Sequence, residues 1–455
     1  MMETKKTIIF VGVAVGLVLL AFIFAPKRIT PDAFLDQGEA FFPEFTDPNE
    51  ATTLEVMEFD ETTGSPKAFK VTFENGRWTI PSHHNYPADG KDRLAKTAAG
   101  VIGIVKDDFR SNNASDYETL GVIDPLEPTA GSKGRGKRVT IKGAGGKVLA
   151  DFIIGKQVEQ RSKLRFVRLP DQKQVYAVRM DIDLSTRFED WIETDLLQLT
   201  KDEIKSVVLN DYKINERTRS VERRDNVQLD LKEDKWSARG MKNNQQVDST
   251  LMSELLSTLD ELTIVGVRPK PEGLSESLKK DDSAATISQS DVRSLQSKGY
   301  YFTQDGQLMS NEGELLVHTD RGVIYTLRFG EVVHGSGLAV SAGSDETFTD
   351  QTAAAAQNRY LFVSAEFDQS AFSEPPKPDN TTFLKKSDSL WSADDKKNKA
   401  LYDAHNQWGR KVEQGSETVR ELNDRFADWY FVISSDSFEK LHRSRKDMVI
   451  KKSES

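Results

Sequence analysis

Across its 455 residues the sequence sets 62 Lys+Arg against 72 Asp+Glu, and the resulting formal charge of −10 argues against a nucleic-acid binder working through a broad basic face. A hydrophobic fraction of 37 %, with 24 Phe, 10 Tyr and 6 Trp, excludes collagen-like, mucin-like and wholly disordered chains and allows about two to four folded domains. The absence of cysteine removes disulfides, thiolate metal sites, iron–sulfur clusters and cysteine nucleophiles together.

The first predicted element is a membrane span. Thr7 to Ala25 (TIIFVGVAVGLVLLAFIFA) is uncharged over 19 residues. At about 1.5 Å per residue it reaches about 28 Å, enough for a hydrocarbon core of roughly 30 Å. Lys5 and Lys6 precede it and Lys27 and Arg28 follow, so basic residues do not decide the orientation. A single N-terminal apolar segment with a long trailer acts as a signal anchor. Residues 1–6 are therefore expected as a cytoplasmic tail, 26–50 as a juxtamembrane linker, and the body beyond them as extracytoplasmic, on the periplasmic side of an inner membrane. A cleaved signal peptide is disfavoured by the length of the apolar run and by Ile23 where a small residue is needed.

The body reads as two related copies. FKVTFENGRW, ending at Trp78, and VQLDLKEDKW, ending at Trp236, both alternate apolar and polar residues as half-buried strands do. At an offset of 158, Phe69, Val71 and Phe73 meet Val227, Leu229 and Leu231. The same register predicts a helix in each copy, with Leu94, Ala98, Val101 and Ile104 matching Met252, Leu256, Leu259 and Leu262 on one face. DFIIG ending at Gly155 matches TLRFG ending at Gly330, at an offset of 175. Strands LRFVRL and QVYAV follow in the first copy and RYLFVSAEF in the second. Each copy then shows R-F-x-D-W, at Arg187, Phe188, Asp190 and Trp191 and again at Arg425, Phe426, Asp428 and Trp429. On a helix this pattern pairs Arg with Asp on the surface and buries Phe with Trp; Trp78 and Trp236 are likewise expected in the core.

The predicted architecture is α+β: a transmembrane helix, then two related modules of antiparallel strands with packed amphipathic helices. The first spans 51–212 and the second 213–452, with a flexible insertion near 333–410 where Gly, Ala, Ser, Asp, Lys and Pro dominate. From about Lys396 to Val432, Leu401, Trp408, Leu422 and Trp429 fall seven or fourteen apart, an apolar seam suited to packing on its own domain or to self-association. Gly409 and Gly415 predict a break into two helices.

None of the candidate chemistry reaches a catalytic, cofactor or metal assignment. Loop 131–147 holds Lys133, Arg135, Lys137, Arg138, Lys142 and Lys147 without an acid, but Val148 follows Gly146-Lys147 where a phosphate loop needs Ser or Thr. It stands as a solvated hairpin or as a patch for lipid headgroups or an anionic envelope polymer. His83 and His84, with Asp89 and Asp92 nearby, suggest zinc; adjacent side chains on an extended segment point to opposite sides and lack a third ligand. Asp107-Asp108, Asp281-Asp282 and Asp394-Asp395 suit solvated turns. S-x-x-K at Ser277–Lys280 and Ser437–Lys440 lacks the accompanying motifs of the acyl-transfer enzymes that use it.

In the first copy Tyr117, Leu120, Gly121, Val122 and Pro125 form a tyrosine–glycine–apolar–proline turn, Ile153, Ile154 and Gly155 an apolar–apolar–glycine strand end, and Val175, Tyr176 and Val178 the next strand. In this order of motifs the copy resembles the bacterial domain-of-unknown-function 4340 family. In copy two only RPKPEGL, Arg268 to Leu274, stands near the place of the turn. The resemblance implies a membrane-anchored extracytoplasmic α+β protein grouped with ABC transporter components of the gliding-motility type. It carries no catalytic residues. The expected function is thus a non-catalytic scaffold or accessory subunit, anchored through Thr7 to Ala25 and partnered by a transporter permease and ATPase, without cofactor or nucleic acid. A binding module for an envelope glycan or peptide is the rival, and an envelope hydrolase the third reading.

Overall fold

A computed structural model describes residues 14–17, 37–61, 64–182, 184–215, 220–280, 288–303, 306–335, 338–343 and 357–452. The expected tail, most of the span at Thr7 to Ala25, and residues 26–36 lie outside the described residues; Ala14 to Leu17 are helical. Among the described residues no helix is long and apolar enough to cross a membrane.

The fold is α+β, dominated by two large antiparallel sheets. The first contains β1 (Thr53–Asp60), β2 (Ser65–Glu74), β3 (Arg77–Ile80), β4 (Tyr86–Pro87), β5 (Asp108–Ser111), β6 (Lys137–Lys142), β7 (Val148–Gln157), β8 (Leu164–Arg168) and β9 (Val175–Arg179). Its order is β4-β3-β2-β1-β6-β7-β8-β9-β5. The remaining strands are β10 (Ile204–Asn215), β11 (Ser220–Lys232), β12 (Lys235–Ala238), β13 (Gln245–Val247), β14 (Gly266–Pro269), β15 (Tyr300–Phe302), β16 (Leu308–Ser310), β17 (Glu314–Thr319), β18 (Val323–Val333), β19 (Asn358–Phe367), β20 (Trp429–Ile433) and β21 (Val449–Lys451). The second large sheet runs β12-β11-β10-β17-β18-β19-β20-β14; β13 pairs with β21 and β15 with β16.

Aligned on β1 and β10, the two orders coincide over eight strands, from β3 to β5 in one and from β12 to β14 in the other. Phe73 faces Trp78 across β2–β3 as Leu231 faces Trp236 across β11–β12. The 158-residue spacing persists through the helices that begin at Lys91 and Ser249 and the strands that begin at Asp108 and Gly266. Alternating burial carries the sheets: Leu54 and Val56 are inward on β1, and Val207 and Leu209 on β10. The Ser249–Asp260 helix starts where Asp248 accepts hydrogen bonds from Thr250 and Leu251 N–H, and it buries Met252, Leu255 and Leu259.

Contacts divide the chain into two compact units, residues 1–68 with 94–184 and residues 69–93 with 185–455. The boundary drawn at 212/213 from the sequence falls inside β10. The stretch 333–410 holds more order than its composition suggests, since β19 and the start of a long helix lie within it.

That helix, Ala393–Ala427, is continuous through Gly409 and Gly415, correcting the expected break. Its start is fixed by a capping box of Ser392 and Asp395. Gly415 is buried, and a Cβ there would run into the Phe367 ring of β19, so glycine is what permits close approach of helix and sheet. Tertiary packing outweighs the glycine propensity penalty of about 1 kcal/mol.

The two R-F-x-D-W segments are not equivalent. Phe188–Trp191 is one 3-10 turn after β9, whereas Arg425 to Trp429 leads into β20, which occupies the place of β9 in the second sheet. Phe188 and Trp191 are buried as expected, Arg187 pairs with Glu189, and Arg425 donates to the Asp195 carbonyl. Trp78 and Trp236 are half-buried rather than core residues.

Candidate functional site

The residues that carry the turn pattern of the first copy converge on one place in the first unit. Tyr117–Leu120 is a single helical turn ended by Gly121 at φ +72°. It is clamped by Arg168, which is only 7 % exposed: Nε donates to Val122 O at 3.1 Å, and NH1 donates to the carbonyls of Leu169, Pro170 and Gln172. The Arg168 guanidinium lies 4.6 Å from the Tyr117 ring centroid, and Tyr117 OH donates to Lys173 O at 3.0 Å. Burial lowers the Arg168 pKa, but an arginine stays charged. Backbone pairing of Ile123 with Gly134 and Gly136 closes the other side of the turn.

Beside this turn lies a cleft of about 430 Å³ with Gly121, Gly134, Gly136 and Gly155 in its wall. Arg135, Lys137, Lys156 and Arg165 line it, with Glu61 the carboxylate among the described lining residues; Ile154, Met180, Ile182 and Leu184 supply an apolar side. Arg135 donates to the carbonyls of Asp124, Pro125, Ala130 and Gly131 and stacks 4.1 Å from the centre of the Phe59 ring. Lys156 Nζ donates to Thr119 O at 3.0 Å and Glu118 O at 3.3 Å, and Arg165 donates to Gly155 O at 3.4 Å.

A second cleft, about 570 Å³, occupies the corresponding place in the second unit. Ile214 and Val221 line it from the β10–β11 hairpin, as Glu61 does from the end of the β1–β2 turn. Glu331, one residue after Gly330 on β18, lines it as Lys156, one residue after Gly155 on β7, lines the first. Val292, Tyr301 and Phe302 line it beside the polar side chains of Gln296, Thr303 and Glu331. The counterpart of the Tyr117 turn is not the RPKPEGL stretch, which forms β14 and the start of the Glu272–Lys280 helix. It is Lys298 to Tyr300: a Cβ on Gly330 would collide with the Lys298 carbonyl and approach the Tyr300 hydroxyl.

Half of the basic loop's cations are neutralised by their surroundings. Lys137 pairs with Glu58, Arg138 with Asp124 at 2.9 Å and Asp151 at 2.6 Å, and Lys142 with Glu55 at 3.0 Å; Lys133 and Lys147 are exposed. The hydrogen bond to Asp151 raises the Arg138 pKa further.

His83 and His84 face the same segment, contrary to the expectation that they diverge. His84 adopts φ +57° and Asn85 φ +59°, a left-handed kink that brings both rings round. His83 Nε2 lies 2.9 Å from Ser341 Oγ and Nδ1 3.0 Å from Ser82 Oγ, while His84 Nε2 donates to Ala342 O at 2.7 Å. The His83 ring stacks on Phe188 at 4.6 Å. Burial, then the charges of His84 and Arg268, lower its pKa to about 4. Among the described residues no group of three or more His, Asp or Glu side chains could hold a metal ion.

Among the described residues the acidic pairs and S-x-x-K stretches do not assemble into a site. Asp108 pairs with Arg110, and Asp395 serves its capping box and Lys386, which pull its pKa down to about 2. Asp281-Asp282 lies outside the described residues. Ser437 meets Ser434, and Lys440 pairs with Asp436.

Lys270, absent from the sequence reading, is fully buried. Its Nζ donates to Phe426 O at 2.9 Å and lies 4.0 Å from the Phe362 ring centroid and 5.5 Å from that of Tyr430. Burial lowers its pKa to about 7 against the opposing charge of Asp428. A lysine two residues before a helix, between two prolines, carries no sequence signal of burial.

Neither the curated proteins nor the solved structures contain a match to this chain. Residues 78–279 match the family model described as Domain of unknown function (DUF4340), which supports the resemblance carried by the Tyr117-to-Pro125 turn and the Ile153-Ile154-Gly155 strand end.

Proposed function

We propose that the protein is a membrane-anchored, non-catalytic accessory subunit or scaffold of an envelope ABC transporter of the gliding-motility type. Its span would be Thr7 to Ala25, and its body would lie on the periplasmic side of the inner membrane. The observation that carries the reading is the eight-strand order common to both sheets, with the family turn, or its stand-in at Lys298 to Tyr300, docked beside a glycine in each. Two related modules on one tether suit a protein that works by contact. The uncharged 19-residue segment supports the tether, and the family resemblance supplies the transporter as partner.

The test is purification of the full chain from membranes in mild detergent, followed by mass spectrometry of what accompanies it. Stoichiometric recovery of a permease and an ATPase is the expected result. Retention of the protein on isolated cell wall, with no transporter recovered, would instead favour a module that binds an envelope glycan or peptide, a second reading supported by the two clefts.

A further inference from the structure

We propose that the cleft beside the Tyr117–Pro125 turn binds an anionic group carried on a short apolar chain, such as an alkyl phosphate. Three of its cations are held in place by acceptors that do not cancel their charge. Arg135, Lys156 and Arg165 all donate to main-chain carbonyls. Among the described residues none of the three forms an ion pair, whereas Lys137 is matched by Glu58. Carbonyl contacts fix position and leave a full positive charge, so the ordering cost of meeting an anion is already met. Lys156 uses two of its three N–H donors on Thr119 and Glu118 and retains one. Among the described lining residues Glu61 is the opposing charge, and it leaves an excess of cations.

The other side of the cleft selects against a bare ion. Ile154, Met180, Ile182 and Leu184 give the bound anion an apolar neighbour, and burying a short alkyl chain there contributes about 0.8 kcal/mol for each methylene removed from water.

The second unit provides an internal contrast. At the corresponding place Glu331 stands where the first unit has Lys156, no Lys or Arg lines the cleft among the described residues, and Tyr301 and Phe302 take part of the wall. Among the described lining residues, the two clefts at one position of a repeated strand order differ in charge, and the first is the one set for an anion.

The experiment uses the full-length protein in a neutral maltoside detergent, with binding measured by titration calorimetry. The probes are hexyl phosphate, hexanoate, inorganic phosphate and hexanol. Hexyl phosphate should bind saturably at one site and more weakly as salt rises. Inorganic phosphate should bind at least about tenfold more weakly, equivalent to about 1.4 kcal/mol, and hexanol should show partitioning only. Hexanoate separates the anion sources: parity with hexyl phosphate marks a carboxylate-bearing ligand, and a clear preference for hexyl phosphate marks a phosphate ester. Lys156→Glu, which installs the second cleft's charge, and Arg165→Gln should each weaken hexyl phosphate at least about tenfold. Arg165 is exposed, so its variant keeps the test valid if Lys156→Glu disturbs the turn. Absence of saturable hexyl phosphate binding, unchanged binding in folded Arg165→Gln, or inorganic phosphate binding as tightly as its hexyl ester would each overturn the proposal. No transporter is present in the assay, so its outcome is independent of the partner proposed above.

Discussion

Gly155 lies against the main-chain carbonyl of Leu120 so closely that a Cβ at Gly155 would sit 2.5 Å from that oxygen. The strand end and the turn are thus two halves of one packing contact, and the family pattern in this region records a steric requirement. Gly330 repeats the relationship against Lys298 O at closer range. Alanine at either position must push backbone from backbone, and each variant should lose about 1–3 kcal/mol in denaturant unfolding of the purified protein. Gly409, whose Cβ would meet open space on the long helix, is the control. Gly409→Ala should stabilise by about 0.5–1 kcal/mol.

Asn423, on that helix, completes an unfinished strand. β20 pairs with β19 only from Arg359 to Leu361, which leaves the backbone further along β19 without a neighbouring strand on that edge. The Asn423 amide fills the gap at Ala365, accepting from its N–H at 2.9 Å and donating to its carbonyl at 2.8 Å. Removing the amide strands a donor and an acceptor together. Asn423→Ala should therefore cost about 2–4 kcal/mol, and hydrogen exchange of the Ala365 amide should speed up more than that of Leu361.

Lys270 makes stability depend on alkaline pH. Its ordinary value is 10.5, and the folded value is about 7. Between these limits the unfolded chain holds more protons, so stability rises with pH across the window and carries the full cost of a buried cation below about pH 7. Lys270→Met keeps the volume and removes the charge. It should abolish the rise between pH 7 and 9.5 and, at pH 7, raise stability by a few kcal/mol (~1–4), less the lost bond to the Phe426 carbonyl. A rise of equal slope in wild type and variant would assign the pH dependence to other groups.

Much of the second copy is legible from the first because side-chain period and spacing are local properties. The β12 strand that carries Trp236, the helix after it and β14 all begin where a 158-residue shift places them. Legibility ends where equivalence depends on three-dimensional contact. Lys298 to Tyr300 stands in for the Tyr117 turn without sharing its residues, and only its contact with Gly330 identifies it. The second R-F-x-D-W misleads because five residues can recur without a common place in the sheet. The cleft cations were visible only as basic residues; what distinguishes Arg135 from Arg138 is a carbonyl partner in one case and two carboxylates in the other.

The pair His83 and Ser341 should be sensitive to acid. His83 is 1 % exposed and its pKa is lowered to about 4 from an ordinary 6.5. The unfolded chain therefore takes up the proton first, and stability falls as pH drops from about 6.5 to about 4, with no contribution to pH dependence from this group above about 6.5. His83→Phe preserves the stack on Phe188 but leaves the Ser341 and Ser82 hydroxyls without their ring partner. At pH 7 the variant should be less stable by about 1–3 kcal/mol. Carboxylates also titrate in acid, so the informative quantity is the stability gap between wild type and variant, from matched denaturant melts. That gap should narrow by about 2 kcal/mol between pH 7 and pH 4.5, because only the wild type carries an imidazole that resists protonation in the folded state. A gap of constant size would mean that the ring is accessible to protons in the folded protein, and that the bond to Ser341 survives its protonation.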